Sequence, residues 1–562
     1  MPYSDLKDFI NTLEKENELV RISSEVNSHL EISEITNRIS KGPESNNKAL
    51  LFENVKGYQI PLLINTLGSH KRMSLALDVN SYIQIASRIE KFLDKKIPDT
   101  VMGKLSMLPK LAQAASFPPK IVTKASCQEV IITNINEPML DKLPIITAWP
   151  QDAGAFITMT TVVTKDPGTG TRNVGMYRMQ KLDNSTTCMH WHKHHDGAQN
   201  YQNTASRDIG VSDYHPVYDE LCREVNDNGT TGLQDYRQTG HETIDSQVHP
   251  ATGGSAFGGK SSSPQVLTSP NPKSSRKMEV AVAIGCDPAV MYAGSAPLPP
   301  GLDEFLFAGF LRGSPVELVK CKTVDLEVPA HSEIVLEGYV DLDELVVEGP
   351  FGDHTGFYSL AGMYPKFHIT AMTHKKNPIY TTIIVGKPPM EDCYMGKATE
   401  QIFLPLIKIF LPEVVDINLP WEGVFHNCAL VSIKKKYPAH AKKVISGIWG
   451  MGQMMFTKYI IVVDHDIDVQ NIQETAFHVF SNTDPKRDTI FTEGPTDILD
   501  HASSVMGISG KMGLDATRKW KAEGYNRQWP QEMIMDGDTK DLVSKKWKEY
   551  GLHKSTCSKN SI

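Results

Sequence analysis

The sequence contains no run of about 18 apolar residues, the length that a helix needs to cross a bilayer. Its first ten residues, MPYSDLKDFI, are polar with a helical pattern, and they lack the basic segment and apolar core of a secretion signal. Together these two absences argue against a membrane-embedded or secreted protein. They predict a cytoplasmic one.

Cysteine is also scarce, and acidic residues slightly outnumber basic ones. The eight cysteines are scattered over 562 residues without a CxxC pair, which predicts neither a disulfide framework nor a thiolate zinc site. The net charge is -8 and the sequence pI is about 6.2, so the chain as a whole does not attract nucleic acid or anionic lipid. A small molecule is therefore the expected partner, and nucleic acid is not.

What the sequence does contain is enough apolar material for several cores, with 40% hydrophobic and 22% charged residues. Strand and helix patterns predict a small N-terminal α/β region over 1–115, a β-rich unit over 116–335 and an α/β unit over 336–525. Residues 526–562 are predicted to be a tail that packs on a neighbouring subunit. The segment 203–276 is rich in Ser, Thr, Gly, Asn and Asp, and is predicted to be a flexible insertion or a surface addition.

The segment EGPFGDHTGFY, residues 348–358, places two carboxylates five residues apart, at Glu348 and Asp353. Two glycines and a proline between them restrict the backbone, so both acids are expected on a loop of defined shape. Neighbouring carboxylates can separate their protonation states, one ionised beside a cation and the other holding a proton. The alternative is an acidic surface turn.

A second motif, RNVGMYR at 172–178, places Asn173 and Arg178 five residues apart. That odd spacing puts them on opposite faces of an ideal strand. If both serve one site, either Asn173 lies at the entry of the strand or Gly175 marks a bulge. The alternative is an ordinary edge hairpin.

The third motif, MHWHKHHDGA at 189–198, has four histidines within six residues. On an extended strand His190 and His194 would lie about 13 Å apart, so one or at most two of the four can bind the same ion. A solvated or phosphate-contacting polar strand is the alternative. The small residues at 293–297, followed by Glu304, would let backbone oxygens approach an ion or a phosphate closely.

Taken together, these segments resemble the UbiD family of decarboxylases, which use prenylated flavin mononucleotide. The resemblance covers nearly the whole chain and runs in the family's order: RNVGMYR, MHWHKHHDGA, GSAPLPPGLDEFLFAGFLRG, ELVKCKTVDLEVP, EIVLEGY, EGPFGDHTGFYS, FTKYIIVVDHDID and KMGLDATRKW. It implies an α+β and α/β fold with a central, FMN-binding split β-barrel, a small N-terminal α/β region and a C-terminal α/β domain.

The resemblance also implies roles for individual residues. Asn173, His194 and Glu304 would hold Mn²⁺ or Mg²⁺ against the flavin phosphate, with His192 and His195 as alternatives to His194. K⁺ would be held by Ala293, Gly294 and Ala296 with Glu304. The implied flavin contacts are Met176, Tyr177, Arg178, His190, Trp191, His192, His195, Asp196 and, from the C-terminal domain, Lys458.

Glu348, Arg178 and Asp353 would form the catalytic set. The Arg178 guanidinium favours the ionised form of the acid it contacts, and Asp353, expected to be less directly paired, is the hypothetical proton donor.

The implied activity is non-oxidative decarboxylation of a hydroxybenzoate-type acid, polyprenylated or not, in ubiquinone or menaquinone biosynthesis or in aromatic acid metabolism. The implied partners are a flavin prenyltransferase that supplies the cofactor and further copies of the chain in a dimer or hexamer. A lipophilic substrate would add peripheral membrane association. The alternatives are a split-barrel flavin reductase, since that fold also hosts redox flavoproteins, and a non-catalytic flavin-binding or assembly subunit.

Overall fold

The computed structural model describes residues 3–93, 117–191, 277–299 and 301–551. The 203–276 segment lies outside the described residues, as do four predicted site residues, His192, His194, His195 and Asp196. In the described part, no helix is both long and apolar enough to cross a membrane.

The described residues form a mixed α+β fold with eleven α-helices and twenty-three strands. The helices are α1 (Leu6–Lys15), α2 (Glu31–Lys41), α3 (His70–Ala76), α4 (Ile83–Leu93), α5 (Pro288–Ala293), α6 (Glu304–Arg312), α7 (Glu391–Phe410), α8 (His440–Trp449), α9 (Ile472–Asn482), α10 (Pro485–Asp488) and α11 (Gly537–Lys546). The strands are β1 (Leu19–Ile22), β2 (Ala49–Phe52), β3 (Leu62–Ile64), β4 (Lys120–Val122), β5 (Val130–Ile132), β6 (Phe156–Ile157), β7 (Thr160–Lys165), β8 (Arg172–Gly175), β9 (Met179–Lys181), β10 (Thr186–Met189), β11 (Lys277–Ile284), β12 (Glu317–Lys320), β13 (Glu327–Pro329), β14 (Ile334–Glu348), β15 (Phe351–Gly352), β16 (Tyr358–Ser359), β17 (Gly362–His374), β18 (Tyr380–Thr382), β19 (Val414–Asn418), β20 (Cys428–Ile433), β21 (Tyr459–Asp464), β22 (Thr489–Pro495) and β23 (Ile508–Asp515).

The helix predicted at the N-terminus is α1. Its apolar residues recur every three or four positions, and all four of them, Leu6, Phe9, Ile10 and Leu13, are buried. The N-cap is Asp5, whose carboxylate accepts from the backbone N–H of Asp8. The helix packs near the four-stranded sheet β1-β2-β3-β18.

The central element is a nine-stranded sheet of order β6-β9-β10-β17-β14-β11-β7-β8, with β5 also paired to β17. β8 and β9 lie towards opposite ends of this order, yet only three residues separate Gly175 from Met179. Four residue steps span at most about 14 Å, so the sheet must be strongly curled. Its described pairings do not close into a barrel, and the split barrel stays a prediction.

The boundary predicted after residue 335 falls inside β14. This strand and β17 both belong to the central sheet, which therefore extends to His374. A separate five-stranded sheet, β19-β20-β21-β23-β22, follows α7 and has its own apolar core. The strand pattern alone did not distinguish the last strands of one sheet from the first of the next.

Gly338 lies in β14 where its register against β17 shifts. A Cβ built there would lie 1.8 Å from the carbonyl oxygen of His368, a backbone atom that cannot move without disturbing the pairing. We expect Gly338→Ala to lower stability by about 1–3 kcal/mol, which a fall in the thermal unfolding midpoint would report. Gly510→Ala in β23 is the matched control, because a Cβ there meets nothing within 4 Å. An unchanged midpoint for Gly338→Ala would contradict this.

Candidate active site

The two acids of the 348–358 loop are placed by the central sheet. Glu348 is the last residue of β14, and Asp353 directly follows β15, which pairs with β16 to fold the loop into a small hairpin. Gly349 has φ +88°, which favours glycine. The acidic surface turn is thereby excluded, because the Glu348 side chain is fully buried and that of Asp353 is 8% exposed.

Asp152 anchors this loop from outside. Its carboxylate accepts from the backbone N–H groups of Ala148 and Trp149 at 3.0 and 2.9 Å, and from that of Gly352 at 2.7 Å. Gly352 is required there because a Cβ would lie 2.2 Å from the Trp149 ring. These contacts hold the backbone next to Asp353 in place.

Arg178 joins the two acids. Its Nε and Nη2 donate to the two carboxylate oxygens of Glu348 at 2.8 and 3.2 Å, and its Nη1 donates to Oδ2 of Asp353. Nη2 also donates to Ser359 at 3.1 Å, and the guanidinium carbon lies 4.6 Å from the centre of the Phe351 ring. The structure thus brings the three predicted catalytic residues together on one guanidinium fork.

The electrostatics of this cluster correct one expectation. Burial by itself raises the pKa of Glu348, but the His190 hydrogen bond and the Arg178 charge outweigh it and lower the pKa to about 2. For Asp353 burial is likewise outweighed, first by the Arg178 charge and then by His354, so its pKa is held far below the usual range. Asp353 is therefore not the less directly paired acid: both carboxylates contact Arg178, and both are ionised in this arrangement.

A break between β8 and β9 places Arg178. β8 ends at Gly175, the chain leaves the ladder for three residues, and Arg178 comes immediately before β9. The Tyr177 ring folds back onto Gly175, where a Cβ would lie 2.4 Å from ring carbons. This break differs from both arrangements considered for the odd spacing, since Asn173 lies within β8 and the chain is interrupted instead of bulged.

Asn173 lies beside the start of α6. The Glu304 carboxylate accepts from the backbone N–H of Val174 at 3.1 Å, and Arg172 pairs with Asp303, the α6 N-cap, at 2.6 Å. The amide nitrogen of Asn173 is buried and has no hydrogen-bond partner among the described residues. Asn173 and Glu304 therefore come from adjoining elements, as the metal-site prediction requires.

The predicted backbone ligands lie at the C-terminal end of α5. The carbonyl of Gly294 accepts from the backbone N–H of Met176 at 2.9 Å, which ties this turn to the β8–β9 break. The carbonyls of Ala293 and Ala296 accept from Ala296 and Leu298 at 3.2 and 2.9 Å. Each carbonyl oxygen has two lone pairs, so these bonds leave room for a cation.

His190 and Trp191 are the last described residues of the histidine-rich motif. Nδ1 of His190 lies 2.9 Å from Glu348, and burial followed by the Arg178 charge lowers the pKa of this imidazole. A neutral His190 can donate from Nδ1 to the carboxylate. The Trp191 ring meets that of Tyr177 edge to face, with centroids 6.4 Å apart.

Lys458, an implied flavin contact, lies directly before β21, and its ammonium group pairs with Asp500 at 2.9 Å. A cavity of about 520 Å³ opens next to Asp500. It is lined by Phe357 of the acid loop, which is the 348–358 segment, by His501, and mainly by apolar residues of the C-terminal unit, which is built on the sheet β19-β20-β21-β23-β22.

The sequence reasoning missed two histidines beside Asp353. His354 contacts the Asp353 carboxylate, and its ring reaches His426 of the C-terminal unit. Asp353 and His354 are adjacent in the motif, so His354 could have been suspected. No sequence signal links it to His426, which lies 72 residues away.

Regions that match known protein families cover nearly the whole chain. Three family models match in order: the 3-octaprenyl-4-hydroxybenzoate carboxy-lyase N-terminal domain over 10–89, the Rift-related domain over 120–215 and 262–388, and the C-terminal domain over 393–516. The chain belongs to the UbiD family. It is accordingly a carboxy-lyase of the UbiD type.

Two relatives of this UbiD-family chain are similar over its full length. One, from Archaeoglobus fulgidus, is 45% identical over 98% of this chain and 99% of its own. Another, from Aquifex aeolicus, is 44% identical over the same shares. Both are described only as uncharacterised proteins.

Solved structures also match this chain over nearly its whole length. The vanillic acid decarboxylase of Sedimentibacter hydroxybenzoicus in its closed form is 25% identical, with a TM-score of 0.75 over 98% of this chain and 100% of that one. HmfF from Pelotomaculum thermopropionicum in complex with FMN is 27% identical, with a TM-score of 0.69 over 96% and 99%. An evolved dimeric form of HmfF, in complex with prenylated FMN, has a TM-score of 0.69 at 25% identity over 97% and 100%.

Proposed function

We propose that this chain catalyses the non-oxidative decarboxylation of an aromatic, hydroxybenzoate-type carboxylic acid with prenylated FMN as cofactor. The observation that carries the proposal is the buried guanidinium of Arg178 held between two carboxylates, Glu348 and Asp353. The positive charge of Arg178 can bind a substrate carboxylate, and the two acids can supply a proton. The full-length similarity to a vanillic acid decarboxylase supports the substrate class.

The described residues fit a cation-anchored flavin phosphate. Asn173 keeps a buried amide nitrogen without a partner among the described residues, a donor suited to a phosphate oxygen. Its amide oxygen would be the cation ligand, and Glu304 offers carboxylate oxygens at a helix start that adjoins the same strand. An amide and a carboxylate are hard donors that suit Mn²⁺ or Mg²⁺, and the carbonyl groups of the α5 turn suit K⁺. When bound, prenylated FMN supplies the electron sink for the charge left on carbon. Met176, Tyr177, His190, Trp191 and Lys458 remain the proposed flavin contacts.

Arg178 would orient the substrate. Its planar guanidinium matches a carboxylate, and a substrate carboxylate there would compete with Asp353 for the Nη1 donor. A third anion in the cluster also disfavours the ionised form of its neighbours, so substrate binding would raise the pKa of Asp353. Asp353 would then hold a proton at Oδ2 and deliver it to the carbon that loses carbon dioxide. The overall balance is one carboxylate plus one proton giving one C–H bond and carbon dioxide.

The decisive experiment measures carbon dioxide released by holoprotein made alongside a flavin prenyltransferase. Aromatic acids, including 4-hydroxybenzoate and a polyprenylated derivative, would be tested in turn, with chain expressed without the prenyltransferase as the control. We expect release that requires both the prenylated cofactor and one class of acid. Flavin reduction by a nicotinamide without carbon dioxide release would favour a reductase, and bound flavin without either activity a non-catalytic subunit.

The proposals on assembly rest on the C-terminal tail. Helix α11 buries none of its side chains, and the preceding Met533, Ile534 and Met535 are exposed. Apolar side chains left exposed in a row favour contact with another copy of the chain, as a dimer or hexamer. A place in quinone biosynthesis, a cytoplasmic location and peripheral membrane association through a lipophilic substrate are parts of the same proposal.

A further inference from the structure

His354 connects the proposed acid to a second histidine. Its Nδ1 lies 2.9 Å from Oδ1 of Asp353, and its backbone N–H donates to the same oxygen at 2.7 Å. Its Nε2 lies 2.8 Å from Nε2 of His426. Both ring nitrogens of His354 are thus engaged, one by the acid and one by another imidazole.

This chain of contacts crosses from one unit of the fold to another. His354 belongs to the acid loop of the central sheet, whereas His426 lies between β19 and β20 of the C-terminal sheet. The Phe425 ring also stacks on His354, with centroids 5.5 Å apart and planes at 29°. The position of the C-terminal unit therefore bears directly on a residue that contacts Asp353.

The backbone that presents His426 is strained. Val424 and Phe425 have φ of +45° and +51°, in the left-handed region that a β-branched or aromatic residue rarely occupies. Strain of this kind persists where surrounding contacts enforce it. Gly396 of α7 allows the close packing of Phe425, since a Cβ there would lie 3.0 Å from the Phe425 side chain.

Several charged groups face the two imidazoles. Burial alone lowers the pKa of His354, but the Asp353 hydrogen bond and charge, followed by the charges of Asp497 and Asp392, raise it to about 9. Burial and then the positive charge of His354 lower the pKa of His426, against the opposing charges of Asp497, Asp353 and Asp500. A protonated His354 can donate from both nitrogens, to Asp353 and to a neutral His426.

A metal ion between these residues is the competing explanation, because His354, His426 and Asp497 offer ligand atoms within 4.8 Å of one another. Two nitrogens on a tetrahedral zinc, with Zn–N bonds of about 2.0–2.1 Å, would lie about 3.3 Å apart. The nitrogens here are 2.8 Å apart, the distance of a direct hydrogen bond, and Asp497 is 4.0 Å from His426. The distances favour the hydrogen bond.

We propose that His354 is a positioning residue for Asp353, and that its hydrogen bond to His426 makes this positioning depend on the C-terminal unit being docked against the central sheet. With both units in contact, His354 fixes Oδ1 of Asp353 and leaves Oδ2 to face Arg178 and the substrate. With the units apart, the His354 ring loses the partner that sets its orientation. The inference rests on the proposed decarboxylase function for its kinetic part only.

The first test needs no reaction. A proton shared between two imidazole nitrogens gives a proton NMR signal far downfield, and we expect one in the full chain without cofactor. His426→Phe should remove it and lower the pKa of His354, because the acceptor of its second N–H is gone. His331→Gln is the matched control, since His331 is partly exposed and pairs with Glu317 outside the site. Persistence of the signal in His426→Phe would overturn the proposal.

The second test is kinetic. We expect His426→Phe to lower kcat on the order of 100-fold with little change in KM, as a misplaced acid would, and to shift the basic limb of the pH profile. His426→Gln, which keeps a hydrogen-bonding group at the place of Nε2, should recover most of the rate. His354→Asn keeps a neutral donor near Nδ1 but cannot reach His426, so it should behave like His426→Phe and not like His426→Gln.

The outcomes separate the two proposals. No carbon dioxide release from the wild-type holoprotein, with the NMR results as expected, would end the proposed function and leave the interdomain hydrogen bond standing. An active wild type with unchanged kcat and pH profile in His426→Phe would overturn the positioning role. Stoichiometric zinc in the purified chain, lost in both His354→Asn and His426→Phe, would replace the hydrogen bond by a metal site.

Discussion

Asp353→Asn is expected to abolish decarboxylation while leaving flavin binding nearly unchanged. The amide has the size of the carboxyl group and can still accept from Arg178, but it cannot hold and release a proton. General acid catalysis contributes about 10²- to 10⁴-fold, so we expect kcat to fall by about 10³-fold or more. Carbon dioxide release by the holoprotein measures the loss, and the flavin absorption spectrum shows whether the cofactor is still bound.

A matched control is Asp466→Asn. Asp466 also pairs with an arginine, Arg518, through two hydrogen bonds of 2.8 Å, but its side chain is 48% exposed. It should keep wild-type turnover. Asp353→Glu keeps an acid with a longer reach and should retain more activity than the amide. Full activity in Asp353→Asn would remove this residue from the proposed chemistry.

The proton donor must change its protonation state within the cycle. In this structure the charge of Arg178 holds the pKa of Asp353 far below its usual range, which keeps the carboxylate ionised. A substrate carboxylate weakens that hold in two ways, because it shares the guanidinium and adds a negative charge. Asp353 is therefore expected to take up a proton, and so become a proton donor, only when the substrate carboxylate is bound. Without substrate it should stay ionised.

Local chemistry made much of this site predictable. The two glycines and the proline of the acid loop identified a shaped loop, and the resemblance to a family added Arg178, Asn173 and Glu304. The curl of the central sheet was expected only from the family resemblance, as part of a split β-barrel, and local residue patterns do not predict it. It depends on the break at 176–178, and the packing of Tyr177 on Gly175 that accompanies this break leaves no periodic signal in the sequence.

The errors and omissions of the sequence analysis have a common origin in contacts distant along the chain. Asp353 was expected to be less paired because nothing in the sequence shows that Arg178 reaches both acids, 170 and 175 residues away. His426 was missed for the same reason. Residue spacing describes one strand or loop, whereas pKa values and hydrogen bonds depend on which loops the fold brings together.

Arg178→Lys is the second variant for which we expect a large effect. An ammonium group cannot replace the fork that contacts Glu348 through two nitrogens and Asp353 through a third. Breaking a buried ion pair by removing one partner typically costs 3–5 kcal/mol, and lysine should recover only part of it. We expect kcat/KM for decarboxylation to fall by about 10³-fold or more, since substrate orientation and the acid pair are affected together. Arg518→Lys, at the exposed pair with Asp466, is the control and should be nearly neutral.

The same variant should change how stability depends on pH. In the wild type the pKa of Glu348 is lowered from 4.5 to about 2, so its ionised form contributes stability above the unfolded pKa, and this contribution is lost as pH falls towards 2. A pKa shift of that size contributes about 3 kcal/mol to the free energy of unfolding at neutral pH. Without the guanidinium the pKa of Glu348 should rise, so thermal unfolding midpoints of Arg178→Lys should begin to fall at a higher pH than those of the wild type. If the wild type and Arg178→Lys lost stability over the same pH range, Arg178 would not be the group that keeps Glu348 ionised. The His190 hydrogen bond alone would then have to explain the low pKa of Glu348.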